Sequence, residues 1–229
     1  MNYSIHMNKV SNAEKNVKAY ASVTFEDCFQ VRNIAVVESR EGVIFVSMPA
    51  FKSKERSGNN EVVYKDVCNP ITSEFRSRLY EDIIGMYEEL GIKKVKEMES
   101  YVKYPKELKF SVGVSLFERP HSNLQGLARI YLDDCFVINN VSIMKGKESE
   151  FVAMPSYMVR PAAGDTPARY QDVCYPVTKE FRDKLYGEIM AVYRKEKEMV
   201  SEMQRGSQVR MSNGIRSNSQ EGRKNYSFR

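Results

Sequence analysis

The sequence predicts an α+β protein built from two tandem copies of one small antiparallel β-sheet domain. Each copy is closed by a C-terminal helix. Three observations predict this. Sequence blocks return in the same order at a nearly constant offset, short β-branched and aromatic runs precede them, and each copy ends in an apolar stripe at helical spacing. Ala21-Ser-Val-Thr-Phe-Glu-Asp-Cys-Phe29 returns as Ala128-Arg-Ile-Tyr-Leu-Asp-Asp-Cys-Phe136, and Phe45-Val-Ser-Met-Pro49 as Phe151-Val-Ala-Met-Pro155. Tyr64-Lys-Asp-Val-Cys-Asn-Pro-Ile-Thr72 returns as Tyr170-Gln-Asp-Val-Cys-Tyr-Pro-Val-Thr178. The offset is 107 residues early and 106 later, so one residue is lost in the turn near Gly146. So long a period makes each unit a domain rather than a solenoid turn. The expected boundaries are 1–90 for the first domain, 91–108 for a charged linker or helix extension, 109–203 for the second domain and 204–229 for a basic flexible tail.

Within a unit, Asn2 to Val10 and Phe110 to Phe117 alternate as first strands. Lys18 to Phe25 and Leu127 to Leu132 read as second strands, ended by the turn-favouring acidic pairs Glu26-Asp27 and Asp133-Asp134. Phe29 to Val37 and Phe136 to Met144 are third strands, interrupted at equivalent places by Asn33 and Asn140, where a bulge or a hydrogen-bonding asparagine is expected. Fourth strands, Val43 to Met48 and Glu150 to Met154, stop at Pro49 and Pro155. Lys52 to Asn60 and Val159 to Pro167 are polar and read as loops. Short strands, Val62 to Val67 and Ala168 to Val173, lead to Pro70 and Pro176. Thr72 and Thr178 stand at helix N-cap positions. Behind them Phe75, Leu79, Ile83 and Met86, and likewise Phe181, Leu185, Ile189 and Val192, form the stripes that pack on the sheets.

The charge is unevenly placed. The chain carries +5, of which +4 falls from Ser201 to Arg229, leaving the rest near neutral. The tail from Gln204 is rich in Ser, Gly, Asn and Arg and is expected to be flexible. No run approaches the roughly 20 apolar residues of a membrane span, and no leader is visible, so a cytoplasmic protein is expected. The cysteines Cys28, Cys68, Cys135 and Cys174 then read as reduced, buried thiols. With only His6 and His121 and no CxxC pair, neither a metal nor another cofactor is expected.

These blocks resemble the SpoVG family of small bacterial septation and sporulation regulators. The resemblance rests on Ala21 to Phe25, Phe45 to Pro49, the polar segment and Tyr64 to Ile71, followed by a helix, all repeated in the second copy. It covers most of both units. It implies a non-enzymatic regulator of septation or sporulation that binds DNA, with RNA as a further ligand. It also implies a dimer of units, so the two copies are expected to pack on each other as an intramolecular pseudo-dimer in one chain that is monomeric in solution. In the family, nucleic-acid contact is associated with basic residues just after Met-Pro and around the helix. This chain departs from the family's Met-Pro-Ser and basic pair. It reads Ala50-Phe51-Lys52-Ser53-Lys54-Glu55-Arg56 in the first copy and Ser156-Tyr157-Met158-Val159-Arg160 in the second.

The candidate nucleic-acid contacts are therefore Lys52, Lys54 and Arg56 in the first copy and Arg160 and Arg169 in the second, with Phe51 and Tyr157 placed to stack on unpaired bases. Arg76, Arg78, Arg182 and Lys184 lie near helix N-termini, whose free amides suit phosphate. The competing reading pairs them with Glu74, Asp82, Glu180 or Asp183 on the same surface. Asp66 and Asp172 have no histidine or second carboxylate beside them in sequence, and no nucleotide, metalloprotease or hydrolase motif occurs, so no catalytic residues are expected. The alternative is a protein-interaction module that works without direct nucleic-acid binding. It would use an exposed sheet edge or the helix tyrosines Tyr80, Tyr87, Tyr186 and Tyr193.

Overall fold

The computed structural model describes residues 1–11, 16–56, 61–117, 121–159 and 169–218. The first unit runs β1 (Tyr3–Lys9), β2 (Val17–Phe25), β3 (Phe29–Glu38), β4 (Ile44–Ser47), β5 (Ala50–Arg56), β6 (Val62–Asp66), β7 (Cys68–Pro70) and α1 (Ser73–Ile92). After β8 (Glu97–Glu99), the second repeats the order with β9 (Phe110–Leu116), β10 (Leu124–Leu132), β11 (Phe136–Lys145), β12 (Glu150–Ala153), β13 (Ser156–Val159), β14 (Arg169–Asp172), β15 (Cys174–Pro176) and α2 (Lys179–Asn218). Strands one to four of each copy form an antiparallel sheet, covered by that copy's own helix. All five expected strands of each unit are present, the fifth as β6 and β14.

The acidic pairs close hairpin turns. Glu26, Asp27, Asp133 and Asp134 all have positive φ, and the turns are closed by Cys28 N–H to the Phe25 carbonyl and Cys135 N–H to the Leu132 carbonyl, both 3.0 Å. Glu26 is also buried, and its carboxylate accepts from the backbone amides of Asn2 (2.5 Å) and Lys106 (2.6 Å), pinning the N-terminus and the inter-unit segment to this turn. The lost residue lies where the offset places it. The turn from β3 to β4 spans residues 39–43, and its counterpart spans 146–149.

The two copies exchange strands. β7 of the first unit pairs with β11 of the second, Cys68 opposite Ile138 and Pro70 opposite Phe136. Reciprocally, β15 pairs with β3, Cys174 opposite Val31 and Pro176 opposite Phe29. The docking point is the bulge. Residues 32–33 oppose Ser22 alone, and 139–140 oppose Arg129 alone, with Asn33 (φ 60°) and Asn140 (φ 59°) in the left-handed region. The kink frees the preceding amides. Arg32 N–H donates to the Val173 carbonyl (2.7 Å) and Asn139 N–H to the Val67 carbonyl (2.8 Å), each in the opposite unit. Phe25, Phe75 and Phe136 meet at the centre, the Phe25 and Phe136 rings 4.9 Å apart, so one apolar core runs through both copies. A fully buried phenylalanine stabilises by about 1.5–3 kcal/mol and a backbone bond by about 0.5–1.5 kcal/mol. The shared rings and the several inter-unit backbone bonds together hold the halves, and the exchanged strands set their register.

Four local expectations need correction. Of the segments 52–60 and 159–167, expected to be loops, the described residues 52–56 and 159 belong instead to strands β5 and β13, paired with β6 and β14 as separate two-stranded ribbons. The exchanged strands β7 and β15 were not expected, because a three-residue run ending in proline carries no periodicity. The charged segment 91–108 is neither a plain linker nor a long helix extension: α1 ends at Ile92, and β8 then pairs with the edge of β1, with His6 3.1 Å from Glu97. Finally, α2 continues past Gln204 to Asn218, roughly 60 Å of helix at 1.5 Å per residue, where composition predicted a flexible tail.

Candidate nucleic-acid interface

Each ribbon starts immediately after its Met-Pro pair. Met48 and Met154 are buried, and Val67 N–H donates to the Pro49 carbonyl (2.7 Å) while Val173 N–H donates to the Pro155 carbonyl (2.8 Å). Because the Val67 carbonyl in turn accepts from Asn139, each ribbon is rooted in the other unit's bulge. Beyond that root Phe51, Lys52, Tyr64 and Lys65 of the first ribbon and Tyr157, Met158, Val159, Arg169 and Tyr170 of the second are exposed. In the first ribbon Phe51 lies opposite Lys65, and Lys52 lies opposite Tyr64. Directly opposed residues share a face, so each face carries one ring beside one lysine. Phe51 is 38% exposed and Tyr64 66%. Lys54 and Arg56 continue β5. The second ribbon sets Tyr157 opposite Gln171, Met158 opposite Tyr170 and Val159 opposite Arg169. The Tyr157 hydroxyl donates to Gln171 (2.8 Å), and Arg169 is exposed. Arg160 lies outside the described residues.

The helix N-termini are built as expected. Thr72 Oγ1 accepts from Phe75 N–H and Thr178 Oγ1 from Phe181 N–H, both 3.3 Å. Their cations, however, bond inward. Arg76 donates to the Pro70 carbonyl (3.0 Å) and Arg182 to the Pro176 carbonyl (3.5 Å), each bracing the end of an exchanged strand. Arg78 donates to the Met1 carbonyl (2.9 Å) and lies over the Tyr3 and Phe75 rings. Lys184 meets Glu107 at 2.5 Å, which lowers the Glu107 carboxyl below its usual range and raises the lysine above its own. These partners are backbone carbonyls, rings and Glu107; of the acidic neighbours that helix spacing suggested, Glu180 adds a smaller attraction on Lys184.

The family model for SpoVG matches twice, over residues 2–89 and 109–195. The chain belongs to the SpoVG family. A protein of Treponema denticola bearing the name septation protein SpoVG is 36% identical over 84 residues, covering 37% of this chain and 83% of that protein. Its namesake in Thermoanaerobacter pseudethanolicus is 38% identical over 89 residues, 39% of this chain and 84% of that protein. The one in Caldicellulosiruptor saccharolyticus is 34% identical over 84 residues, 37% of this chain and 86% of that protein. Such relatives are about one unit long, so this chain is a SpoVG duplication. No solved structure matches it.

Other repeated SpoVG positions serve the fold. Tyr193 is buried, and Tyr80, Tyr87 and Tyr186 pack against the core, so the helix tyrosines do not form an exposed anchor row. Burial raises the carboxyls of Asp66 and Asp172. The Arg76 guanidinium pulls the first back, and those of Arg32 and Arg182 pull back the second. All four thiols are free. Cys68, hydrogen-bonded to Cys174 across the pseudo-dyad and fully buried, is held well above the ordinary thiol range. Tyr64, Lys65 and Tyr170 were not among the expected contacts. The missed signal is their place in a second strand facing Phe51, Lys52 and Met158, which only the ribbon register discloses. No helix among the described residues is long and apolar enough to cross a membrane.

Proposed function

We propose that this SpoVG duplication is a cytoplasmic, non-enzymatic regulator that binds DNA or RNA and acts in septation or sporulation control. The carrying observation is the first ribbon. A projecting β-hairpin rooted in a rigid double core presents Lys52 with exposed rings, and Lys54 and Arg56 extend the same strand. Cations so presented neutralise phosphates and release counterions, giving salt-dependent affinity without catalytic chemistry. Arg169 on the second ribbon, with Arg160 next in sequence after β13, forms a smaller share. Arg76, Arg78, Arg182 and Lys184 contribute less, since their bonds inside the fold must be kept or broken. The names of the relatives support the septation role. The chain acts as a monomer whose halves already supply the family's pair of units, with 1–90 and 109–203 as its domains.

The test is a filter or gel-shift titration at several salt concentrations. Changing Lys52, Lys54 and Arg56 together to Ala is expected to weaken binding and reduce the salt slope by about one per lost phosphate contact. Unchanged affinity removes this ribbon from the interface. A second reading, a protein-docking module, is favoured by the second ribbon, where Tyr157, Met158, Val159 and Tyr170 are all exposed.

A further inference from the structure

We infer that the first ribbon binds unpaired bases of single-stranded nucleic acid, stacking them on Tyr64 and Phe51, and that the second ribbon is not its equivalent. The inference rests on the nucleic-acid reading above and adds the ligand class and the residues that recognise it.

Three features carry it. Tyr64 is 66% exposed although it sits in the middle of a strand, and Phe51 is 38% exposed. Exposed rings of this size on a rooted ribbon present flat faces to solvent. A duplex offers a protein the edges of its bases, whereas a single strand offers their faces. The cross-strand register then sets a lysine beside each ring: Lys52 shares a face with Tyr64, and Lys65 shares the other with Phe51. A base stacked on either ring therefore has its phosphate within reach of a long cationic side chain. Finally, the second ribbon keeps the rings but has no cation directly opposite either of them, its Arg169 lying opposite Val159. Met158 faces Tyr170 in place of a lysine, and Gln171 faces Tyr157 and accepts its hydroxyl proton at 2.8 Å. Tyr170 is 74% exposed, more than Tyr64, so exposure alone does not separate the two ribbons. The paired lysine does.

The experiment uses the full chain and fluorescence anisotropy with labelled oligo-dT, oligo-U and a DNA duplex of matching length, over a range of salt. Single strands are expected to bind more tightly than duplex. Tyr64→Ala is expected to lose roughly 5- to 150-fold in single-strand affinity, Tyr64→Phe to restore most of it, and Tyr170→Ala to leave it unchanged. Lys52→Ala and Lys65→Ala should each lower the salt slope on the single strands by about 0.7. The oligo-dT and oligo-U arms decide whether DNA or RNA is preferred. Tighter duplex binding, no loss in Tyr64→Ala, or equal losses in Tyr64→Ala and Tyr64→Phe would overturn the stacking site. A matching loss in Tyr170→Ala would overturn the asymmetry. Salt-dependent binding that needs the lysines but not Tyr64 leaves the nucleic-acid reading standing and removes this inference alone. Absence of binding to all three probes by the unaltered chain removes both.

Discussion

Cys28 closes a turn beside two carboxylates and is half buried. Burial, and then the charges of Glu26 and Asp27, push its thiol up to about 11. Because the folded value lies above the ordinary one of 9.0, its contribution to stability is complete below that value and is lost as pH rises through about 11. Native protein should therefore alkylate slowly at Cys28 at neutral pH, with the rate climbing steeply only at alkaline pH. Mass-spectrometric footprinting across pH checks this, and rapid labelling at pH 7 would contradict it. Sequence alone showed this cysteine as a repeated residue in an apolar context. It could not show how far burial moves the thiol, because that depends on what packs over the turn.

Asn33 and Asn140 belong to the scale of elements, because each kinks a strand so that the opposite unit's chain can dock. A β-branched side chain is strained at this φ, by about 1–2 kcal/mol. Asn33→Val should lower the denaturation midpoint by roughly that free energy, and Asn33→Gly should be nearly neutral. Equal tolerance of both would show that backbone strain is not the reason for asparagine. These bulges were legible in the sequence, since both asparagines interrupt a β-branched run at the same repeat position. The main strands and both N-caps were legible for the same reason: their residues face a core and so alternate or recur. The ribbons were not, because they project from the core and both their faces meet solvent. Nor was β8, whose Glu97 and Glu99 suit an exposed edge and so imitate a linker. The site was legible to the same degree. Lys52 and Phe51 were found from the Met-Pro landmark, and their partners Lys65 and Tyr64 needed the ribbon's register.

At the scale of the whole molecule, neither half can complete itself. The Phe29–Val31 edge of β3 is covered by the second unit's β15, and β7 has no place on its own sheet. Residues 1–108 expressed alone should therefore form a homodimer, each copy lending β7 to the other's β3, while the full chain stays monomeric. Light scattering at micromolar concentration checks both, and a folded monomeric fragment would contradict the exchange. Phe136→Ala in the full chain should cost about 3–5 kcal/mol in a denaturant titration, because the ring is shared by both halves.

The lending of strands also gives synthesis an order. On the ribosome, β3 is finished long before Cys174 emerges, and nearly 140 further residues must be translated before its neighbour exists. Until then the nascent first half carries a bare sheet border and an unclaimed β7, a pair complementary to the same parts of any sibling chain nearby. Crowded translation of one message would thus favour interlinked polymers, and slow, well-spaced translation would favour the self-contained product.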